Sequence, residues 1–271
     1  MALNTEYDNL VKKWDLFLEK INNRFEESTI QAEEAILDNL EVSDFDLTQT
    51  LIALSGIKEQ LRALSDKIET TFEEKVKPQM LQYKEEWDIL DQAQKGIQLG
   101  ESIYDRIDRF FIILEGKIAQ NFYEHAIKFL NESFNCKQCG GSLEVGKNIF
   151  RSHYVSCDYC NTVNTFIPNS KVNEIQGYAI DHIARYNSLV ENDKMLKAQK
   201  ELSELPYADE PENRDKLIQL FNNREQAEKA YWKKYFKERI KLQPNFEETF
   251  EHDVAVKMRY FYEERKQKLN Y

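Results

Sequence analysis

All four cysteines of this 271-residue chain stand in one stretch, CKQCGGSLEVGKNIFRSHYVSCDYC, from Cys136 to Cys160. They form two pairs, Cys136-x2-Cys139 and Cys157-x2-Cys160, with seventeen residues between them. A short CxxC loop presents two thiolates on one side, and a β-hairpin between two such loops would bring four thiolates into a tetrahedron. Soft thiolates favour zinc over hard cations, and two pairs at this separation predict a structural zinc site. An iron centre of the rubredoxin type uses similar loops, and a redox disulfide is a third use of such thiols, although one CxxC suffices for it. Catalytic zinc is disfavoured, because four thiolates close the shell and leave no position for water.

The segment from about residue 134 to 168 resembles a zinc ribbon. CKQCGG is similar to the ribbon loop in which Gly follows the second Cys, where the chain turns left-handed and offers N–H groups to sulfur. In CDYCN that position is Asn161, which tolerates the same conformation. LEV reads as a strand, GKN as a turn, HYVSC as the returning strand and TVNTFI as a third strand stopping at Pro168. His153 stands four residues before Cys157 and is expected to be a solvent-facing strand residue rather than a ligand. Zinc ribbons serve in transcription, ribosomes, nucleases and accessory proteins, so the resemblance implies a fold and a metal, not a role.

Other chemistry is sparse. GSLEVGKN, Gly141 to Asn148, approaches a phosphate-binding loop, but Asn148 stands where the Mg²⁺-binding hydroxyl is needed, and the segment is expected to be a hairpin turn. HExxH and ExxH patterns are absent from the sequence. His125, His182 and His252 are isolated. Glu85, Glu86, Asp88 and Asp91 read as a solvated helix face. AYWKKYFKERIKL carries Lys229, Lys233, Lys237 and Lys241 at every fourth position, beside an apolar stripe of Trp232, Phe236 and Ile240. A basic amphipathic helix can bind a membrane or nucleic acid. The expectation is instead that its apolar side packs into the fold and its lysines are solvated.

Charge bears on partners. Residues 1–135 carry 15 Lys and Arg against 27 Asp and Glu, a net of −12; residues 136–271 carry 22 against 21, a net of +1. An acidic chain is a poor general nucleic-acid binder, because phosphate contacts need cations. The cysteine segment itself is only slightly positive. A nucleic-acid-associated role is therefore the alternative, not the leading expectation. The opening residues contain no apolar signal-peptide segment and no run approaches the ~20 apolar residues of a membrane span, so a cytoplasmic location is expected.

The elements that must position the cysteines are helical. With 8 Gly and 5 Pro in 271 residues, and helix formers dominating, the fold is expected to be mainly α: long helices in a bundle or coiled-coil-like body with a small inserted β module. Residues 5–41 read as one helix, with Thr5 as its cap. Ser43 or Asp44 should cap the next, whose Leu47, Leu54, Leu61 and Ile68 form a heptad seam with Ile57 and Leu64 between. Pro78 should kink it. Gly96 and Gly100 should break the chain before a helix opened by Ser102 and Asp105 and running to about Ser133, with Tyr104, Phe110, Phe111, Phe122, Tyr123 and Phe129 in its core. A helix from about Lys171 to Leu205, the turn PYADEPEN with Pro211 opening the next, a helix to Leu242, and a last helix capped by Asn245 complete the chain.

Three regions are expected: 1–134, helical; 135–169, the cysteine module; and 170–271, helical and packed back on the first through Trp232, Phe236 and Ile240. The function expected is that of a non-enzymatic scaffold or adaptor with structural Zn²⁺ and a protein partner.

Overall fold

The computed structural model describes residues 2–146, 148–205 and 213–269. The fold is mainly α, with one small two-stranded antiparallel sheet near the cysteines. Pro211 and most of the PYADEPEN turn lie outside the described residues, as does Lys147. The chain divides into two compact units, Met1–Leu114 and Glu115–Tyr271.

In the first unit, α1 (Ala2–Val42) begins before Thr5, which lies inside the helix. Asp44 and Phe45 then take left-handed conformations, with φ of 51° and 53°. The cap of α2 (Leu47–Thr71) is therefore Asp46 rather than Ser43 or Asp44, and its side chain accepts from the Gln49 N–H at 2.9 Å. Leu54, Leu61 and Ile68 of the heptad seam are buried.

At Phe72–Val76 the helix widens into a π turn, and the Lys77 N–H donates to the Phe72 carbonyl. Pro78 follows at once, in the short α3 (Lys77–Met80). The widening gives the proline ring, which would crowd a regular turn, its space.

A 3-10 turn at Glu86–Ile89 leads into α4 (Leu90–Ser133). Gly96 and Gly100 do not break this helix, and Ser102 and Asp105 lie within it rather than capping it. A Cβ on Gly96 would sit 2.9 Å from Trp14 Cζ2, and one on Gly100 would sit 3.1 Å from Ser65 Oγ. These glycines admit neighbouring helices closely. Trp14 Nε1–H donates to the Gln92 carbonyl at 3.0 Å and Lys95 reaches Asp15 at 2.7 Å, so α1 and the start of α4 run the same way. Ser65 Oγ–H donates to the Gly100 carbonyl at 3.3 Å, which places α2 against α4. Phe111 and Phe122 are buried along α4, whereas Tyr104 and Phe129 are nearly half exposed, a correction to the expected aromatic core.

The second unit holds the rest of α4, the cysteine module, and α5 (Ser170–Tyr186), α6 (Leu189–Ser203), α7 (Arg214–Leu242) and α8 (Phe250–Leu269). Asn169 caps α5, accepting from the Val172 N–H at 2.8 Å. The single helix expected over 171–205 is two, broken at Asn187 and Ser188. Ser and Asn are weaker helix formers than Ala or Leu, and here Asn187 donates to the distant Glu238 at 3.3 Å while Ser188 is fully buried, its hydroxyl without a partner among the described residues. Asn245 caps nothing: it lies in a 3-10 turn, Pro244–Thr249, and α8 starts after it. Phe221, Tyr235, Phe236, Met258 and Phe261 centre the core between α7 and α8.

The sheet pairs β1 (His153–Ser156) with β2 (Val163–Phe166), Ser156 facing Val163. The hairpin therefore turns through the second cysteine loop, not between the two loops as expected. LEV is not a strand. Its N–H groups go to the end of α4: Leu143 donates to the Phe134 carbonyl at 2.9 Å, and Val145 to Asn131 Oδ1 at 3.0 Å.

Candidate metal centre

The two loops that carry the cysteines are built alike. In the first, the Gly140 N–H donates back to the Cys136 carbonyl at 2.9 Å and the Cys136 N–H donates to the Gly141 carbonyl at 2.7 Å. In the second, the Asn161 N–H donates to the Cys157 carbonyl at 2.8 Å and the Cys157 N–H donates to the Thr162 carbonyl at 3.0 Å. Gly140 and Asn161 are left-handed, with φ of 72° and 58°, as the sequence predicts.

The loops then meet face to face. The four sulfurs all lie within 4.8 Å of one another. Cys136 and Cys160 sulfurs are 3.6 Å apart, and those of Cys139 and Cys157 are 3.5 Å apart. These distances are too long for disulfides, and all four cysteines are free. A tetrahedron with metal–sulfur bonds of about 2.3 Å has edges of about 3.8 Å, so the four thiols can hold a metal ion. Cys136 and Cys157 are buried, Cys160 is half-buried and Cys139 is exposed.

The surroundings favour charge on sulfur. The backbone N–H of Cys139, helped by that of Gln138 and by the Asn164 amide, pulls the Cys136 thiol down to about 6. Contact with Thr162 lowers Cys160. At Cys139 the Gly141 N–H pulls down, but hydrogen bonding to the Cys160 and Cys157 sulfurs, with burial, pushes the thiol up to about 12. Protons thus leave in sequence, and a cation would be needed to hold all four thiolates together.

Asn164 escaped the sequence reading. It is buried on β2, where it accepts from the Lys137 N–H at 3.0 Å and donates to Cys136 Sγ at 3.5 Å. It joins the second loop's strand to the first loop. The signal was available: in TVNTFI, Asn164 shares the inward period with Phe166. Gly141 matters too, because a Cβ there would lie 2.6 Å from Tyr159 Cδ2.

His153 is not among the clustered ligands, as expected. It is not solvent-facing, however. It packs 5.1 Å from the Phe166 ring, and its nitrogens lie 2.9 Å from the Arg151 carbonyl and 3.1 Å from the Val145 carbonyl. The described part of GSLEVGKN forms neither strand nor helix. His182 lies 3.2 Å from Glu115, His125 is half-buried and His252 is exposed.

On α7, Lys229, Lys237 and Lys241 are exposed and Lys233 is half-buried. Lys241 bonds Glu238 at 2.6 Å. Phe236 is buried in the second unit's core, and Trp232 packs against the same cluster. Two buried carboxylates on this helix were not legible in the sequence. Glu228 accepts from Arg224 at 2.7 Å and Gln199 at 2.8 Å; Glu238 accepts from Lys234 at 2.8 Å.

Among the described residues, no helix is long and apolar enough to cross a membrane. Compared with models of known families, with curated proteins and with solved structures, the chain matches none.

Proposed function

We propose that the chain is a non-enzymatic scaffold or adaptor, braced by a structural zinc ion on Cys136, Cys139, Cys157 and Cys160 in a ribbon-like module. The observation that carries this reading is the convergence of two similarly built loops on one four-sulfur cluster. Four thiolates would close the coordination shell, which suits bracing rather than catalysis. Zinc is preferred to iron because a structural role needs no redox change. The long, acidic helices offer extended surface for a protein partner.

Elemental analysis of freshly reduced protein tests the metal, with one zinc per chain expected. Iron in that amount, with visible thiolate absorption, or no metal at all would overturn it. The adaptor role is tested by affinity purification from the native cell. Specific co-purifying proteins are expected with the native chain, and recovery of nucleic acid alone would overturn the role.

A further inference from the structure

A groove of about 370 Å³ runs between α2 and α4 in the first unit. Its origin is the close approach described above. Ser65 of α2 faces Gly100 of α4, Gly96 and Ala93 lie one and two turns away, and the buried Ile68 and Phe72 also line it, so the floor is apolar. Ile97 and Tyr104 rise beside it. Leu90, Ile97 and Tyr104 stand seven residues apart on α4, the spacing of a helix-packing seam, yet they are 58%, 53% and 42% exposed. Among the described residues the seam is left uncovered over these two heptads.

The rim decides what fits. The charged residues lining the groove are Asp66, Glu69, Glu73 and Glu101, with no Lys or Arg. Lys77 meets Glu73 at 3.3 Å at one end, and the Tyr104 hydroxyl donates to Asp66 at 2.8 Å, with Arg62 beside it. Glu69 and Glu101 have no ion-pair partner among the described residues. The chain itself closes the next heptad with a basic side chain. Lys58 of α2 places Nζ 5.1 Å from the Phe111 ring and 3.9 Å from Asp108. Phe111, seven residues past Tyr104, is buried.

We infer that the α2–α4 groove is a docking site for a basic amphipathic helix of a partner protein. The helix lays an apolar stripe along Ile97 and over the apolar floor, and its lysines or arginines reach Glu69 and Glu101 as Lys58 reaches Asp108. Leu90 to Tyr104 spans about 21 Å at 1.5 Å per residue, so a partner helix of about four turns covers the seam. Nucleic acids and anionic membranes share the rim's charge and are repelled. This goes beyond the adaptor reading by naming a surface and a partner chemistry, and it does not rest on the metal.

The test is fluorescence anisotropy of the full chain with a labelled 18-residue peptide, leucines at i, i+3, i+4 and i+7 and lysines elsewhere. Saturable binding at physiological salt is expected. Glu69→Lys with Glu101→Lys should weaken it at least about tenfold, and Ile97→Ser similarly. All three residues are exposed, so the fold is kept. Unchanged affinity in both variants overturns the proposal. So does equal binding of a peptide with serines for leucines, which would make the attraction bare charge. If the free chain sediments as a dimer that the charge reversals split, the groove belongs to a second copy and the proposal also fails. Binding should survive metal chelation and Cys139→Ser, so its failure is separable from failure of the zinc reading.

Discussion

Gly140 and Asn161 hold equivalent places in the two cysteine loops, with φ of 72° and 58°, and each returns its N–H to the carbonyl of the cysteine four residues earlier. Only one of them is glycine. The left-handed conformation costs other residues ~1–2 kcal/mol, less for Asn. Asn161→Gly should therefore leave metal affinity nearly unchanged, while Gly140→Val should weaken it at least about tenfold, because a β-branched side chain is worst there. Competition with a chromogenic chelator measures both. Equal affinities for the two variants would contradict the geometry.

Asn164 should tune the site without touching the metal. It donates to Cys136 Sγ and so favours the thiolate. Asn164→Leu should cost ~10–100-fold in metal affinity, the usual effect of losing an outer hydrogen bond. The sign in pH follows. The Asn164 amide helps hold the Cys136 thiol down, and metal must compete with protons for the thiolates. Losing the donor raises the thiol's pKa, and the release midpoint should move to higher pH. A midpoint that stays put or moves down would count against this role.

Three glycine substitutions should differ in sign. Nothing lies within 4 Å of a Cβ on Gly56, so Gly56→Ala should stabilise by ~0.5–1 kcal/mol through helix propensity. On Gly96 the added carbon meets Trp14 at 2.9 Å, and on Gly116 it meets Tyr186 Cβ at 2.3 Å. Those variants should lose ~1–3 kcal/mol, as overpacked cores do. Chemical denaturation of the three side by side reads the order.

Glu238 gives the second unit an acid dependence. Burial alone would raise its pKa, but hydrogen bonds and charge from Lys234 and Lys241 outweigh it and hold the carboxyl below its ordinary 4.5. A depressed pKa means the stabilisation is fully present above that ordinary value and is lost as pH falls through the lower, folded one. Glu238→Gln removes the titration. Its melting temperature should fall less than the native chain's between about pH 5 and about pH 3. Parallel curves would show that Glu238 contributes nothing there.

The metal ligands and the main helices were legible because each is a local pattern: two CxxC pairs, and apolar residues recurring at three, four and seven. The readings that failed depend on what lies across the fold. Gly96 and Gly100 read as a break, since a glycine that admits Trp14 or Ser65 looks the same in sequence as one that ends a helix. LEV alternates as a strand should, but its N–H groups are taken by Phe134 and Asn131. Glu228 and Glu238 look like surface charges until Gln199 and Asn187, far off in sequence, are seen to reach them. Long-range pairing, not propensity, settled these cases.

Residues 136–168 carry three basic and two acidic side chains, a formal charge of +1 with neutral thiols. Four thiolates around one divalent cation contribute −2, which brings the loaded segment to −1. The lowered Cys136 thiol already takes the unloaded segment toward zero near neutral pH, and metal loading would carry it to a net negative charge. The loaded form would migrate further toward the anode in a native gel than a chain with its cysteines as neutral thiols. In solution the loaded module would add to the acidity of residues 1–135 rather than offset it, and a polyanion approaching the chain would find no cationic landing at the cysteines.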